Sequence, residues 1–130
     1  FAAALWPGQL SIALPASSAV IARVALDGSL AVRLPGGCAA AELCTRFGRP
    51  LSATSANLPG APPATSSAHV AEAFRAAVEH GQLYVLTGAS PGGAPSTVVT
   101  VTGQSYAAAR VGAVPLSALD AIANGRTRDA

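Results

Sequence analysis

The sequence predicts an α/β or α+β fold built on a twisted mixed sheet with flanking helices. Three observations carry this. Short apolar runs of strand length, such as LSIAL at 10–14, LAVRL at 30–34 and TVVTVT at 97–102, are bounded by Gly and Pro. Alanine-rich segments with helical spacing are interspersed with these runs rather than segregated from them. No internal repeat and no low-complexity tract offers a competing architecture.

Taken in order, residues 1–6 read as the last turn of a helix, stopped by Pro7 and Gly8. LSIAL is a strand ended by Pro15, and LAVRL is a second strand between Gly28 and Pro35. Cys38 to Phe47 reads as a helix with Gly48 as its C-cap. LSAT at 51–54 is a short strand leading into TSANLPG. A second helix is expected over Ser67–Glu79. Thr65, Ser66 and Ser67 offer N-caps, Val70, Phe74 and Val78 form an apolar stripe, and Gly81 closes it. LYVLT at 83–87 is a strand, and the loop GASPGGAPS leads into TVVTVT. A short strand near Ala107–Val111 and a helix near Leu116–Ala123 follow, and residues 124–130 read as a frayed tail.

A length of 130 residues suits one domain with a real core rather than two. About half the residues are apolar (51%) and only 11% are charged, a globular composition. All eight basic residues are Arg, which removes Schiff-base lysine chemistry and a Walker-type GK[ST] from these residues. A net charge of +2 is too weak to argue for nucleic acid. The sequence has no Met and opens inside the apolar segment FAAALWPG, so it reads as a partial domain whose N-terminal part is missing. No basic region marks that opening as a signal peptide. No apolar run approaches the ~20 residues of a membrane span. Cys38 and Cys44 lie six apart in one expected helix, on different faces, and read as reduced core thiols of a cytosolic protein.

Most candidates for chemistry reduce to bland readings. His69 and His80 lie about 16 Å apart along a helix and cannot share a metal ion. The acids Asp27, Glu42, Glu72, Glu79, Asp120 and Asp129 are scattered, and Glu72 with Arg75 reads as a surface i,i+3 pair. Three features remain. In TSAN, Ser55 and Asn57 share a face if the chain stays extended and can then hold a polar ligand; otherwise they form a turn entering Pro59–Gly60. In SPGGAPST, consecutive glycines suit either close approach to an anion or a plain hairpin loop, with Ser96 at the start of a strand. Arg33 and Arg110 each interrupt an apolar strand and need an anionic partner or an exposed face. Together these suggest a polar pocket at strand ends without naming its ligand.

The blocks WPGQLSIALP, SLAVRLP, RPLSATSANLPGAPPAT, GGAPSTVVTVTG and ARVGAV, in this order, resemble the Sua5/YrdC/YciO/YwlC family, the threonylcarbamoyl-AMP synthases. The resemblance runs from Leu5 to about Val114 and matches the C-terminal part of the YrdC-like domain. It implies a mixed sheet around a concave, positively charged cavity. It implies an L-threonylcarbamoyladenylate synthase that joins L-threonine, bicarbonate or CO2, and ATP, with Mg2+, and releases pyrophosphate. The product serves t6A modification of tRNA. It further implies a cytoplasmic location, no membrane association, contact with tRNA or other RNA, and a downstream t6A transferase complex. Motif by motif, ATP would be met by Ser29, Ser55, Asn57, Pro63 and Arg110, and threonine by Arg33, Ala53 (through its backbone) and Ser96. No catalytic nucleophile is implied.

The chain departs from the family in lacking the upstream KxR and PTET-like segments, so these residues alone are expected to be inactive. Thr100 stands where many members have Asp, ARVG replaces RPG and LPG replaces LSG. Those changes also fit the YciO branch. The competing readings are a YrdC-like module that binds RNA, including double-stranded RNA, without synthase activity, and the YrdC-like domain of a carbamoyltransferase.

Overall fold

A computed structural model describes residues 1–16, 23, 28–88, 90, 92–103 and 105–126. Asp27, Asp129 and parts of the 88–96 loop lie outside the described residues. The chain divides into two compact units, residues 1–49 with 94–130, and residues 50–93.

The first unit carries the sheet. Its strands are β1 (Leu10–Pro15), β2 (Ser29–Val32), β3 (Thr97–Thr102) and β4 (Ser105–Arg110), and its helices are α1 (Ala2–Leu5), α2 (Ala39–Phe47) and, after β4, a helix over Leu116–Arg126. Among the described residues the strands run in the order β2-β1-β3-β4. β1 pairs antiparallel with β2 and parallel with β3, and β3 pairs antiparallel with β4. This is the mixed sheet the sequence predicts. As expected, α1 stops before Pro7–Gly8 and Gly28 precedes β2.

Period-two alternation gives the sheet its two faces. Leu10 and Ile12 of β1 and Val99 of β3 point to one side, where they form a buried cluster with Leu119. Phe1, Leu5, Trp6, Val101, Tyr106 and Val114 pack around that cluster. Trp6 closes the approach to β1 by donating its indole N–H to the Leu10 carbonyl at 2.7 Å. Ser11 and Ala13 of β1, with Val98 and Thr100 in register on β3, point to the other side.

α2 begins after Cys38 and ends at Gly48, whose φ of 67° is the left-handed conformation a C-cap glycine supplies. It buries no residue: Leu43 is 46% and Phe47 62% exposed. The expectation of core thiols is therefore corrected. Cys38 is exposed and Cys44 half-buried, because neither faces the Leu10–Val99 cluster.

The second unit holds α3 (Ser67–Ala73) and α4 (Arg75–Glu79); the helix over Leu116–Arg126 is thus α5. Ser66 caps α3 by accepting the His69 N–H at 3.2 Å. The single helix expected over 67–79 is interrupted at Phe74 (φ −118°, ψ 29°), although Val70, Phe74 and Val78 remain its half-buried stripe. LSAT and LYVLT join no ladder. An alternating run becomes a strand only beside a partner, and among the described residues neither has one. Instead, the Leu83 N–H bonds to the Ala77 carbonyl. α5 continues to Arg126, into the stretch expected to fray, and residues 127–130 lie outside the described residues.

Candidate functional site

One end of the sheet brings together Ser11, Ser96, Thr97 and Arg110 of the first unit. β1 and β3 begin there, and β2 and β4 finish there. Ser11, only 7% exposed, lies with its Oγ 3.0 Å from Ser96 Oγ. Arg110 reaches the same serine twice, donating from Nε to the Ser96 carbonyl at 3.1 Å and from Nη2 to Ser96 Oγ at 3.2 Å. The structure therefore brings together two sequence-predicted residues, Ser96 and Arg110, and adds Ser11. Ser11 was passed over because one serine inside LSIAL reads as ordinary alternation. Arg33 follows β2 at this end, and its Nε donates to the Gly8 carbonyl at 2.8 Å.

Both arginines are exposed, not buried, and among the described residues neither has a carboxylate partner. Backbone carbonyls and one hydroxyl hold them instead. Arg110 uses two of its five N–H donors this way, which leaves three to water or a ligand.

A β-bulge aims Arg110. From Thr102↔Ser105 to Val99↔Ala108 the β3–β4 register advances one for one, but the next pair is Val98↔Arg110. Ala109 is the extra residue. If Ala109 were paired in a ladder advancing one for one, Arg110 would oppose Thr97, on the side that packs against Leu119. With Ala109 bulged out, Arg110 opposes Val98, on the side of Ser11 and Ser96.

Thr97 anchors this end from below. It is fully buried, donates Oγ1 to the Val114 carbonyl at 2.6 Å, and accepts from the Gly112 and Val114 N–H groups at 2.8 and 3.1 Å. The segment after β4 is thereby pulled onto the start of β3. A Cβ on Gly112 would stand 1.9 Å from the Pro95 carbonyl oxygen, so only glycine fits there. Thr97 and Gly112 were also missed, since their role depends on a contact across the sheet.

The other predicted residues are dispersed. Ser29 sits at the far end of β2, opposite Pro15, roughly 13 Å along the strand from Arg33 at ~3.3 Å per residue. Ser55, Asn57, Ala53 and Pro63 belong to the second unit. There TSAN turns rather than stays extended. The Asn57 N–H bonds to the Ser55 carbonyl at 3.1 Å, and the Ala61 N–H to the Leu58 carbonyl at 3.0 Å closes a turn over Pro59–Gly60. Ala53, Ser55 and Pro63 are exposed.

Asn57 donates Nδ2 to the Leu58 carbonyl at 3.0 Å, while its Oδ1 is buried without a hydrogen-bond partner. Turning the amide over would set that oxygen against the carbonyl, so the orphan acceptor is a property of the site. Gly92 and Gly93 (φ 71° and 92°) have open space where a Cβ would go, so their backbone conformation explains them rather than a close approach.

Tyr106 on β4 donates its hydroxyl to Asp120 on α5 at 2.6 Å. That hydrogen bond, then partial burial and the carboxylate charge, raise the tyrosine above its ordinary value. Among the described residues no three His, Cys, Asp or Glu side chains gather as a metal would require. The hydroxyls and guanidinium at the sheet end do not suit Mg2+ either, so no residue is assigned to it. No described helix is long and apolar enough to cross a membrane.

Comparison with known proteins gives consistent results. A family model named Sua5/YciO/YrdC, described as "Telomere recombination", matches residues 1–112. A threonylcarbamoyl-AMP synthase of Pyrococcus abyssi is 36% identical over 119 residues, covering 90% of this chain and 34% of the relative. One from Chromohalobacter salexigens is 42% identical over 97 residues, covering 72% of this chain and 49% of the relative. The crystal structure of P. abyssi Sua5 complexed with L-threonine superposes with a TM-score of 0.76 at 35% identity, over 93% of this chain and 35% of that one. The chain thus spans about a third of the length of the archaeal relative.

Proposed function

The chain belongs to the Sua5/YciO/YrdC family, and on that premise we propose that it forms part of an L-threonylcarbamoyladenylate synthase. The reaction joins L-threonine, bicarbonate and ATP into threonylcarbamoyl-AMP, pyrophosphate and water. The product supplies t6A modification of tRNA in the cytoplasm, where a downstream transferase complex would take it up. The observation that carries the reading is the Ser96–Arg110 pair, on one face of the sheet with donors to spare.

Catalysis here is positioning and charge compensation rather than covalent chemistry. The amine of threonine attacks CO2 derived from bicarbonate, and a carbamate oxygen then attacks the α-phosphorus and expels pyrophosphate. Ser96 and Arg33 suit the threonine carboxylate, one as a hydroxyl donor and the other as an exposed cation. Arg110 suits the phosphate charge that builds during displacement. Ser29, Ser55 and the Pro63 region are assigned to the nucleotide, and the Ala53 backbone to threonine. The unpaired Oδ1 of Asn57 favours a donor such as a ribose hydroxyl or an adenine amino group. Mg2+ would arrive with ATP, held by the phosphates and water, as this small cation commonly is.

The test is pyrophosphate release by the full-length protein with ATP and bicarbonate. Release that requires L-threonine supports the reading, and release indifferent to L-threonine, or none, overturns it.

A further inference from the structure

We propose that Ser11 is a positioning residue that fixes the Ser96 hydroxyl as an outward-facing donor. The inference rests on the synthase reading and deepens it, because Ser11, although inside the WPGQLSIALP block, is not among the residues assigned to ATP or threonine.

The argument is one of counting protons. The Ser96–Ser11 contact at 3.0 Å allows either hydroxyl to donate. Arginine has no acceptor, so Ser96 Oγ must accept from Arg110 Nη2. If Ser96 also donated to Ser11, the proton of Ser11 would need another acceptor. Ser11 is buried, and among the described residues its hydroxyl has Ser96 Oγ as its one partner. A buried donor without an acceptor is costly, whereas an oxygen with a spare lone pair is cheaper. The contact therefore runs from Ser11 to Ser96. With both lone pairs of Ser96 occupied, by Ser11 and Arg110, its own proton is left to point away from them. Ser96 is half-buried, so that proton can be met from outside. Such a hydroxyl suits an acceptor such as a carboxylate and disfavours an ammonium group. It would orient threonine by its acid end and leave the amine free to react.

The experiment is calorimetric titration of L-threonine into the full-length protein, comparing wild type with Ser11→Ala, Ser11→Thr, Ser96→Ala and the double Ser11→Ala/Ser96→Ala variant. Loss of one directing hydrogen bond is expected to weaken L-threonine binding about five- to tenfold in Ser11→Ala. Ser11→Thr, which keeps the hydroxyl, should stay within about twofold of wild type, and the double variant should bind no more weakly than Ser96→Ala alone. Should circular dichroism show Ser11→Ala unfolded, Ser11→Cys, with a poor donor of similar shape, carries the same comparison. Unchanged affinity in Ser11→Ala, or losses that add in the double variant, would overturn the role of Ser11 while leaving the synthase reading intact. Wild-type protein that takes up no L-threonine would overturn that reading and the proposal with it.

Discussion

Arg110 shows how a residue type is chosen by geometry. Its fork spans a carbonyl and a hydroxyl of the same residue and still keeps three donors free. A lysine has no fork and could satisfy only one of these contacts at a time. Arg110→Ala in the full-length protein is expected to weaken ATP binding about tenfold or more, and Arg110→Lys to recover little of it. Ser55→Ala should weaken ATP by less, about three- to fivefold, the loss of one exposed neutral hydrogen bond. Fluorescence titration with a nucleotide analogue measures both, and unchanged affinity in the two alanine variants would remove these residues from the nucleotide site. Arg33, held by a single carbonyl, keeps more freedom to follow a bound carboxylate.

At the scale of elements, the register of β4 decides which side of the sheet Arg110 faces. Deleting Ala109 should restore a regular ladder with Arg110 still opposite Val98, on the side of Ser11 and Ser96. The expected outcome is a folded protein that binds ATP more tightly than Arg110→Ala, and a deletion variant as weak as Arg110→Ala would refute the register that places the guanidinium. β4 is also tied to α5 through Tyr106 and Asp120. The tyrosine is raised, so its contribution is fully present below the ordinary tyrosine range and is lost as pH rises through its folded value. Ultraviolet difference titration should find Tyr106 moving back down in Asp120→Asn, and no movement would show the bond to be unimportant in solution. Neither device was legible beforehand. Strands bounded by Gly and Pro, such as LSIAL and TVVTVT, could be read from local chemistry. LSAT and LYVLT have equal local credentials and pair with nothing among the described residues, because a ladder needs a distant partner that alternation does not name. Ser96 and Arg110 were suggested by motif resemblance, while their contact depends on a register set by the whole sheet. Ser11 carried no local signal.

Across the whole molecule, apolar surface is plentiful and the hidden core is small. Among the described residues four apolar side chains are buried, whereas Leu34, Phe47, Leu58, Tyr84, Leu86 and Val111 are each at least half exposed. With so few apolar side chains hidden, little hydrocarbon burial holds these residues folded. These 130 residues expressed alone are expected to bind a hydrophobic dye strongly and to unfold at low denaturant. A dye-silent chain with a steep, late transition would contradict this. The discontinuity of the first unit also bears on how the protein is made. Residues 50–93 form a contiguous unit that can begin folding as soon as it leaves the ribosome. β1 ends at Pro15, yet its parallel neighbour β3 begins only at Thr97. β1 must therefore wait, with the edge that β3 will take open, while the residues between them are made. The serine it contributes to the site gains its partner only when nearly three quarters of these residues have been made.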